Sequence, residues 1–181
     1  MVTFKLASGE QIRFRPLSAD DEPLLAEAFN TASQETLLHR FFTPLRELSS
    51  DQVRRLLVSD PEREVCVVGE FAAETGRRIV CGARYVRLTD PSVAEIALTV
   101  HDDFQGQGIG GFILRHLIQL GRDARIRTFA ADVLPTNLKM LRLLEKVAPE
   151  RRSKLAEGVC HVEFDLADAT VRADDSSFGP G

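Results

Sequence analysis

A glycine-rich stretch in the middle of the chain, where an apolar strand passes directly into an apolar-faced helix, constrains the fold more than any other feature. Residues 104–111 read FQGQGIGG, after the strand pattern at 94–100 and before the helix pattern at 109–124. Glycines at this density leave the backbone amides uncovered and reach positive φ angles that aim successive N–H groups inward. Because these amides open onto a helix N-terminus with its partial positive charge, the stretch predicts an anion site, most simply for a pyrophosphate.

The glycines also fit the dinucleotide pattern G-x-G-x-x-G when it is counted from Gly106, with Asp132 about 20 residues further on. A dinucleotide fold needs further strand–helix–strand units after its motif, because these units build the parallel sheet. Here the remaining sequence predicts one further helix and two strands. No Lys-Ser or Lys-Thr pair follows the glycines, which argues against a nucleoside-triphosphate loop. These points favour another phosphate-bearing cofactor.

Apolar periodicity and capping residues predict a single domain of mixed strands and helices. Strands are predicted over 11–15, 64–71, 78–88, 93–100, 127–134 and 159–166. Helices are predicted after the N-caps Ser18, Ser33 and Ser50 or Asp51, and over 109–124 and 137–147. The strand at 127–134 follows a helix and must pair parallel with a neighbour, whereas the two strands around the turn Glu74-Thr75-Gly76 pair antiparallel. The domain is predicted to span residues 1–167, with a polar, flexible tail over 168–181.

The composition of the 181 residues limits the classes of protein that fit. With 44% hydrophobic and 28% charged residues and a formal net charge of −4, the chain lacks the broad basic face of a nucleic-acid-binding protein. No apolar run approaches the ~20 residues of a membrane span, and the N-terminal sequence does not have the layout of a secretory signal. Cys66, Cys81 and Cys160 lie singly in apolar stretches. We therefore expect a cytoplasmic protein with reduced thiols, no cysteine nucleophile, and no membrane or nucleic-acid partner.

The order of these elements, with Gln105-x-x-Gly108-x-Gly110 after the fourth predicted strand, resembles the GNAT superfamily of N-acetyltransferases. The resemblance implies an α/β (α+β) fold: a mixed, mostly antiparallel sheet with splayed central parallel strands, flanked by helices. Shorter matches are similar to one subgroup, the bacterial protein-lysine acetyltransferases that modify acyl-CoA synthetases; they are LHRFF at 38–42, GARYV at 82–86, AEIA at 94–97 and DVL at 132–134. The resemblance therefore implies acetyl-CoA as cosubstrate and a protein lysine as acceptor.

Acetyl transfer to lysine requires a neutral amine, and with a pKa near 10.4 only about one free lysine in a few thousand is neutral at pH 7. Glu95 is the candidate general base, because it is a carboxylate in an otherwise apolar strand that leads to the anion loop. Strand alternation places Ala97 and Thr99 on the same face, which leaves room for an acyl group and an amine. Partial burial is expected to raise the pKa of Glu95 toward the working range. The resemblance adds that a glutamate in this strand serves as general base.

The resemblance also implies where acetyl-CoA lies. In a GNAT fold the pantetheine arm lies between the two splayed strands, so backbone groups of Leu98, Thr99 and Val100 are expected to pair with it like an added strand. Asn137, just past the next strand, matches a family asparagine that contacts the arm. Backbone amides of the loop are expected to bind the pyrophosphate; they belong to Gln105, Gly106, Gln107, Gly108, Ile109 and Gly110.

Several alternatives remain for these residues. Asp132, in the middle of its predicted strand, is an alternative general base. Glu95 is alternatively a surface glutamate, or the partner of Arg84 or Arg87 on the adjacent strand. Asn137 is alternatively the N-cap of the helix that follows it.

One position departs from the family pattern. Many relatives carry a tyrosine on the last helix that protonates the departing thiolate, and Leu144 stands at the matching place. Tyr85, the only tyrosine, is interpreted as a core aromatic residue with a satisfied hydroxyl. The four histidines show no metal-ligand spacing, so we expect no metal site.

The sequence thus predicts an acetyl-CoA-dependent N-acetyltransferase that acts on a protein lysine by direct transfer. A small-molecule amine N-acetyltransferase is one alternative on the same fold, because specificity lies in the acceptor surface. A sensor module that binds acyl-CoA without catalysis is the other. A shallow acidic cleft near Glu95 would favour a protein lysine, and a closed pocket would favour a small amine. No pattern in the sequence indicates an oligomeric state.

Overall fold

The computed structural model describes residues 2–58, 60–73 and 76–170, which form one eight-stranded sheet with packed helices. The strands are β1 Val2–Lys5, β2 Gln11–Pro16, β3 Glu64–Ala73, β4 Gly76–Arg87, β5 Val93–Val100, β6 Thr128–Val133, β7 Arg152–Ala156 and β8 Val159–Asp165. The helices are α1 Glu22–Asn30, α2 Gln34–Phe41, α3 Ser50–Leu57, α4 Ile109–Asp123 and α5 Leu138–Val147, with short 3₁₀ turns at Ala19–Asp21 and Asp102–Phe104.

The sheet has the strand order β1-β2-β3-β4-β5-β6-β8-β7, and β5–β6 is its one parallel pair among the described strands. This pairing covers only three positions, Val93–Thr128, Ala94–Phe129 and Glu95–Ala130. Beyond Glu95 the two strands separate. The predicted mixed α+β sheet with splayed central strands is therefore confirmed, and the dinucleotide alternative is wrong because its fold requires a predominantly parallel sheet.

Each face of the sheet has its own hydrophobic core. Helices α4 and α5 pack on one face, against Ile96 and Phe129 among others. Helices α1, α2 and α3 pack on the other face, against Val68 and Ile79. The predicted alternation in β5 is confirmed, since Ile96 belongs to the α4 core while Thr99 lies across from Gly82 on the α2 face.

Most predicted elements are present, with shifts at their ends. The cap at Ser33 is confirmed. Ser18 caps the 3₁₀ turn Ala19–Asp21 that precedes α1, and the N-cap residue of α1 itself is Asp21. Helix α3 is capped by Ser49, whose hydroxyl accepts the Gln52 N–H, rather than by Ser50 or Asp51. The edge strands β1 and β7 were not predicted. Strand β1 alternates strictly but over only four residues, whereas β7 is almost wholly exposed and shows no apolar alternation.

Two predicted features fall wholly or partly outside the described residues. The turn at Glu74-Thr75-Gly76 is one, since only its last residue is described. The predicted tail is the other, since residues 171–181 are not described. At its start, Ala169 is buried and the Thr170 N–H donates to the Val147 carbonyl at 2.7 Å, so the packed part of the chain extends to residue 170.

Candidate active site

A cleft of about 430 Å³ opens where β5 and β6 separate. It is lined by the end of β5, the glycine loop, α2 and the first turns of α5. Eight predicted cofactor-binding residues lie along it: Leu98, Thr99, Val100, Gln105, Gly106, Gly108, Gly110 and Asn137. The other two do not contribute side chains to the cleft, because the Gln107 amide donates to the Asp103 carbonyl and Ile109 is buried in the core. Only their backbone amides remain for a ligand.

The glycine loop has the backbone geometry that the sequence predicts. Gly106 and Gly108 have φ angles of 76° and 87°, in the left-handed region that disfavours side chains. Gly108 is the N-cap residue of α4 and provides no side-chain hydrogen bond, and no acidic residue lies in the first turn. The first N–H groups of α4 are therefore left for an anion at the end of the cleft. This arrangement fits the pyrophosphate of acyl-CoA.

The side chain of Gln105 has a role that the sequence did not indicate. Its amide nitrogen donates to the Val100 carbonyl at 3.0 Å and to the Thr36 hydroxyl at 3.2 Å. Its amide oxygen accepts from the Lys139 ammonium at 2.6 Å. One side chain thus connects the end of β5, helix α2 and helix α5. These bonds hold the glycine loop in a fixed position relative to the cleft.

Asp102 forms a second link between α2 and the loop. Its carboxylate accepts hydrogen bonds from the Ser33 backbone and hydroxyl and from the Thr36 hydroxyl at 2.6–2.9 Å. Burial acts to raise the pKa of Asp102, but these hydrogen bonds outweigh it and lower the pKa below its ordinary value. Sequence patterns identified Ser33 as a helix cap but not its distant partner.

Glu95 stands at the last β5–β6 pair, about 10 Å along the strand from Leu98, which is the first β5 residue that lines the cleft. Its side chain is exposed, so the expected partial burial is wrong. Neither Arg84 nor Arg87 pairs with Glu95, as one alternative interpretation required. Arg84 pairs with Glu64, and Arg87 donates to backbone carbonyls. The carboxylate is therefore open to an incoming amine.

Two further carboxylates share this face of the sheet. Glu163 lies in one cross-strand row with Glu95, through Ala130. Asp132, the alternative base, lies two residues further along β6, and its carboxylate is 2.6 Å from His161 Nδ1. Both side chains are about half exposed. The Glu163 carboxylate lies 3.6 Å from the Arg152 guanidinium, so Glu95 is the one of these three carboxylates without a hydrogen-bond or ion-pair partner among the described residues.

The remaining candidate residues have structural roles. Asn137 is the N-cap of α5, with its side-chain oxygen accepting the Met140 N–H at 3.1 Å, and it also lines the cleft. Tyr85 is buried in the core, as interpreted, and burial raises the pKa of its hydroxyl. Burial likewise raises the pKa of the Cys66 thiol, and that of Cys81 to about 12, which disfavours nucleophilic thiolates.

The position expected for a catalytic tyrosine faces away from the cleft. Leu144 is fully buried in the core beneath α5. The α5 residues that line the cleft carry no hydroxyl group; they are Lys139, Met140, Arg142 and Leu143. Helix α5 therefore offers no tyrosine to a departing thiolate.

The described residues contain neither a metal-binding cluster nor a membrane-spanning helix. No group of three histidine, cysteine, aspartate or glutamate side chains is placed to hold a metal ion within 2–58, 60–73 and 76–170. Over the same residues, none of the helices has the length and apolarity to span a membrane.

Comparison with known proteins identifies relatives along most of the chain. The model of the Acetyltransferase (GNAT) family matches residues 26–148. An acetyltransferase of Pseudomonas aeruginosa is 28% identical over 117 residues, which cover 65% of this chain and 63% of the relative. The acetyltransferase Pat of Mycolicibacterium smegmatis is 28% identical over 147 residues, which cover 81% of this chain and 43% of the relative. The chain thus matches less than two thirds of the length of either curated relative.

A solved structure extends the similarity to three dimensions. The GNAT domain of S. lividans PAT is 30% identical and superimposes with a TM-score of 0.79. The match covers 91% of this chain and 96% of that domain.

Proposed function

The chain belongs to the Acetyltransferase (GNAT) family, and we propose that it transfers the acetyl group of acetyl-CoA to the side-chain amine of a lysine on another protein, such as an acyl-CoA synthetase. Family membership accounts for acyl transfer and the use of acetyl-CoA. The observation that carries the choice of acceptor is the exposure of the Glu95 carboxylate on an open face of the sheet, with no ion-pair partner among the described residues. A lysine that projects from a folded protein can reach a carboxylate in that position, whereas a small amine is better bound by a closed pocket.

The cleft residues fit acetyl-CoA, which supplies the activated thioester when bound. Beyond Glu95, the edge of β5 that faces β6 has no strand partner among the described residues, so the backbone of Leu98–Val100, apart from the Val100 carbonyl that accepts from Gln105, is available to pair with the pantetheine arm. The loop amides from Gln105 to Gly110 and the N-terminus of α4 would hold the pyrophosphate. Backbone N–H groups of β5 would polarise the thioester carbonyl. Asn137 would contact the arm through its amide nitrogen, since its oxygen caps α5.

Glu95 acts in this proposal as the general base that takes the proton of the lysine ammonium, directly or through one water. Such a base contributes ~10²–10⁴-fold to the rate. Glu95 is preferred to Asp132, because the Asp132 carboxylate is already engaged by His161. No cleft residue on α5 provides a hydroxyl for the thiolate, so its proton would come from solvent or from another group.

The unpaired carboxylate of Glu95 also favours a cationic acceptor. Glu95, Asp132 and Glu163 lie on the same face within two residues of one another across β5, β6 and β8. Glu163 is paired with Arg152 and Asp132 with His161, which leaves the Glu95 carboxylate to attract the positively charged ammonium before it is deprotonated. The resemblance to the bacterial protein-lysine acetyltransferases supports the same acceptor.

The test is to incubate the protein with radiolabelled acetyl-CoA and either a desalted bacterial lysate or a panel of polyamines, amino acids and other small amines. Discrete labelled bands on a denaturing gel, with acetylated lysines identified by mass spectrometry, are expected. Labelled small amines without labelled protein would instead support the small-molecule enzyme. Acetyl-CoA binding without transfer to any acceptor would support the sensor module.

A further inference from the structure

A second cavity, of about 70 Å³, lies between the sheet and helices α1 to α3. It meets the cofactor cleft at three residues that line both spaces, Thr36, Arg40 and Thr99. Most of its wall is apolar, from residues such as Leu25, Phe29 and Val68. A ligand group that enters the cavity from the cleft therefore passes between α2 and the end of β5.

Three polar groups on this wall lack partners among the described residues. The Thr99 hydroxyl and the Arg84 Nε are both buried without a hydrogen bond. The Arg40 guanidinium stacks on Phe41, 5.1 Å from the ring centroid, but makes no hydrogen bond or ion pair within the described structure. Buried donors without acceptors are uncommon in native proteins and indicate a missing partner. Two such groups, the Thr99 hydroxyl and the Arg84 Nε, border this cavity, and the half-buried Arg40 guanidinium lies beside them.

The charges around the cavity leave an excess of positive charge. Glu64 neutralises Arg84. Burial and the charge of Arg84 both lower the pKa of Arg40, and the negative charge of Glu95 is too weak an influence to reverse this. The Cys66 thiol, also on the wall, is neutral because burial raises its pKa. The cavity thus presents two unpaired hydrogen-bond donors and one guanidinium that forms no ion pair within the described residues.

We propose that this cavity is a carboxylate-binding subsite, in which Arg40, the Arg84 Nε and the Thr99 hydroxyl bind a short carboxylate-bearing group. A planar guanidinium matches a carboxylate and donates two parallel hydrogen bonds to it. The volume exceeds the roughly 15 Å³ that one water needs but leaves room for only a few heavy atoms. The inference rests on the proposed acyl transfer, since the carboxylate reaches the cavity as part of a substrate in the cleft.

Two substrates can carry such a carboxylate. One is a dicarboxylic acyl-CoA, in which the acyl chain enters the cavity with its distal carboxylate on Arg40. The other is an acceptor with a carboxylate next to its amine. The chemistry of recognition is the same, so a test needs one arm for each source.

The first arm compares the dissociation constants of succinyl-CoA and butyryl-CoA by calorimetric titration, because both acyl chains have four carbons and only one carries a charge. We expect succinyl-CoA to bind about tenfold more tightly than butyryl-CoA, because one charge-assisted hydrogen-bonded pair contributes about that factor to the affinity. Arg40→Met should abolish this ratio and Thr99→Val should reduce it. Arg46→Met, which removes the same charge from an exposed residue, should leave the ratio unchanged.

The second arm measures acetyl transfer to a lysine peptide with glutamate next to the lysine and to its glutamine counterpart. A preference for the glutamate peptide that Arg40→Met removes would support the subsite with the acceptor as its source. Equal binding of the two acyl-CoAs together with equal rates on the two peptides would overturn the proposal, as would a preference that persists in Arg40→Met. Titration with acetyl-CoA is the separate check on the proposed function, because its failure would exclude acyl transfer itself.

Discussion

Asp102 accepts the backbone N–H of Ser33 at 2.8 Å and its hydroxyl at 2.6 Å, although the two residues are 69 positions apart in the chain. Ser33 begins α2, and Asp102 begins the short turn that leads to the glycine loop. The contact therefore fixes the helix that carries Arg40 against the strand that carries Thr99. The contact thereby stabilises the walls of the cleft and of the second cavity.

Replacing Asp102 with Asn should destabilise the protein by about 1–2 kcal/mol, because charge-assisted hydrogen bonds are lost. The folded-state pKa of Asp102 is lowered, so its contribution is fully present above the ordinary value of about 3.9 and is lost as the pH falls through the folded value. Urea denaturation of wild type and variant between pH 3 and 7 should show the difference shrink only at the acid end. The exposed Asp51→Asn is the control, and equal stability of all three proteins at pH 7 would contradict the prediction.

Glu95→Gln should lower kcat for acetyl transfer by ~10²–10⁴-fold and leave the dissociation constant of acetyl-CoA within about twofold. The amide keeps the shape of the side chain but cannot accept the ammonium proton. Steady-state kinetics on an acceptor identified from the lysate, with titration of acetyl-CoA, separates the two effects. Glu163→Gln removes a neighbouring charge in the same cross-strand row and should retain most of kcat. Full activity in Glu95→Gln would exclude it as the base.

Gly106→Ala should weaken binding of acetyl-CoA by about tenfold or more. An added Cβ meets no atom within 4 Å, so the cost comes from the positive φ of 76°, roughly 1–2 kcal/mol for an L-residue. Relief of this strain turns the loop amides away from the pyrophosphate. Gly158→Ala is a matched control, since it has a φ of 80°, equally open surroundings and a position in the β7–β8 turn.

Both glycine variants should therefore lose similar stability in thermal denaturation, while only Gly106→Ala loses affinity for acetyl-CoA. If Gly106→Ala bound acetyl-CoA as tightly as the wild type, the backbone conformation at Gly106 would not be required for binding acetyl-CoA.

Glu70→Gln should destabilise the protein by about 3 kcal/mol, because Glu70 is 2% exposed and its carboxylate bonds to Arg13 and Arg15. Burial acts to raise the pKa of Glu70, but the arginines outweigh it and lower the pKa, so this contribution too is lost as the pH falls through the folded value. Glu22→Gln, in an exposed pair with Arg54, should cost less than about 1 kcal/mol. Urea denaturation at pH 7 and pH 4 measures the stability of wild type and both variants. A Glu70→Gln variant as stable as the wild type at pH 7 would contradict the prediction.

The fold could be predicted from local patterns because its central elements have strong ones. Strand β5 occupies the predicted residues 93–100, and α4 begins at the predicted Ile109. The parallel β5–β6 pair followed from the helix between the two strands. Strand β1 was missed because its alternation extends over only four residues, and β7 because an exposed edge strand needs no regular apolar alternation.

The candidate site could be predicted only in part. The glycine motif located the cleft and most of its lining, since positive φ angles and uncovered amides are properties of glycine itself. The exposure of Glu95 was predicted wrongly, because burial of a strand residue depends on whether a helix covers that face at that point. Leu144 stands where many relatives carry a tyrosine, and its position in the sequence does not indicate that it faces the core.

By itself, the amino-acid sequence determined the family, the order of the elements and the loop that can bind a pyrophosphate, because these depend on residue type and short-range spacing. Only the tertiary structure decided which polar groups meet. It joined Gln105 to Thr36 and Lys139, and among the described residues it left the Thr99 hydroxyl and the Arg84 Nε without hydrogen-bond partners at one cavity. Such pairings depend on contacts between residues far apart in the chain, and hydrogen bonds and burial at those contacts are set by the packing of α2 against the sheet.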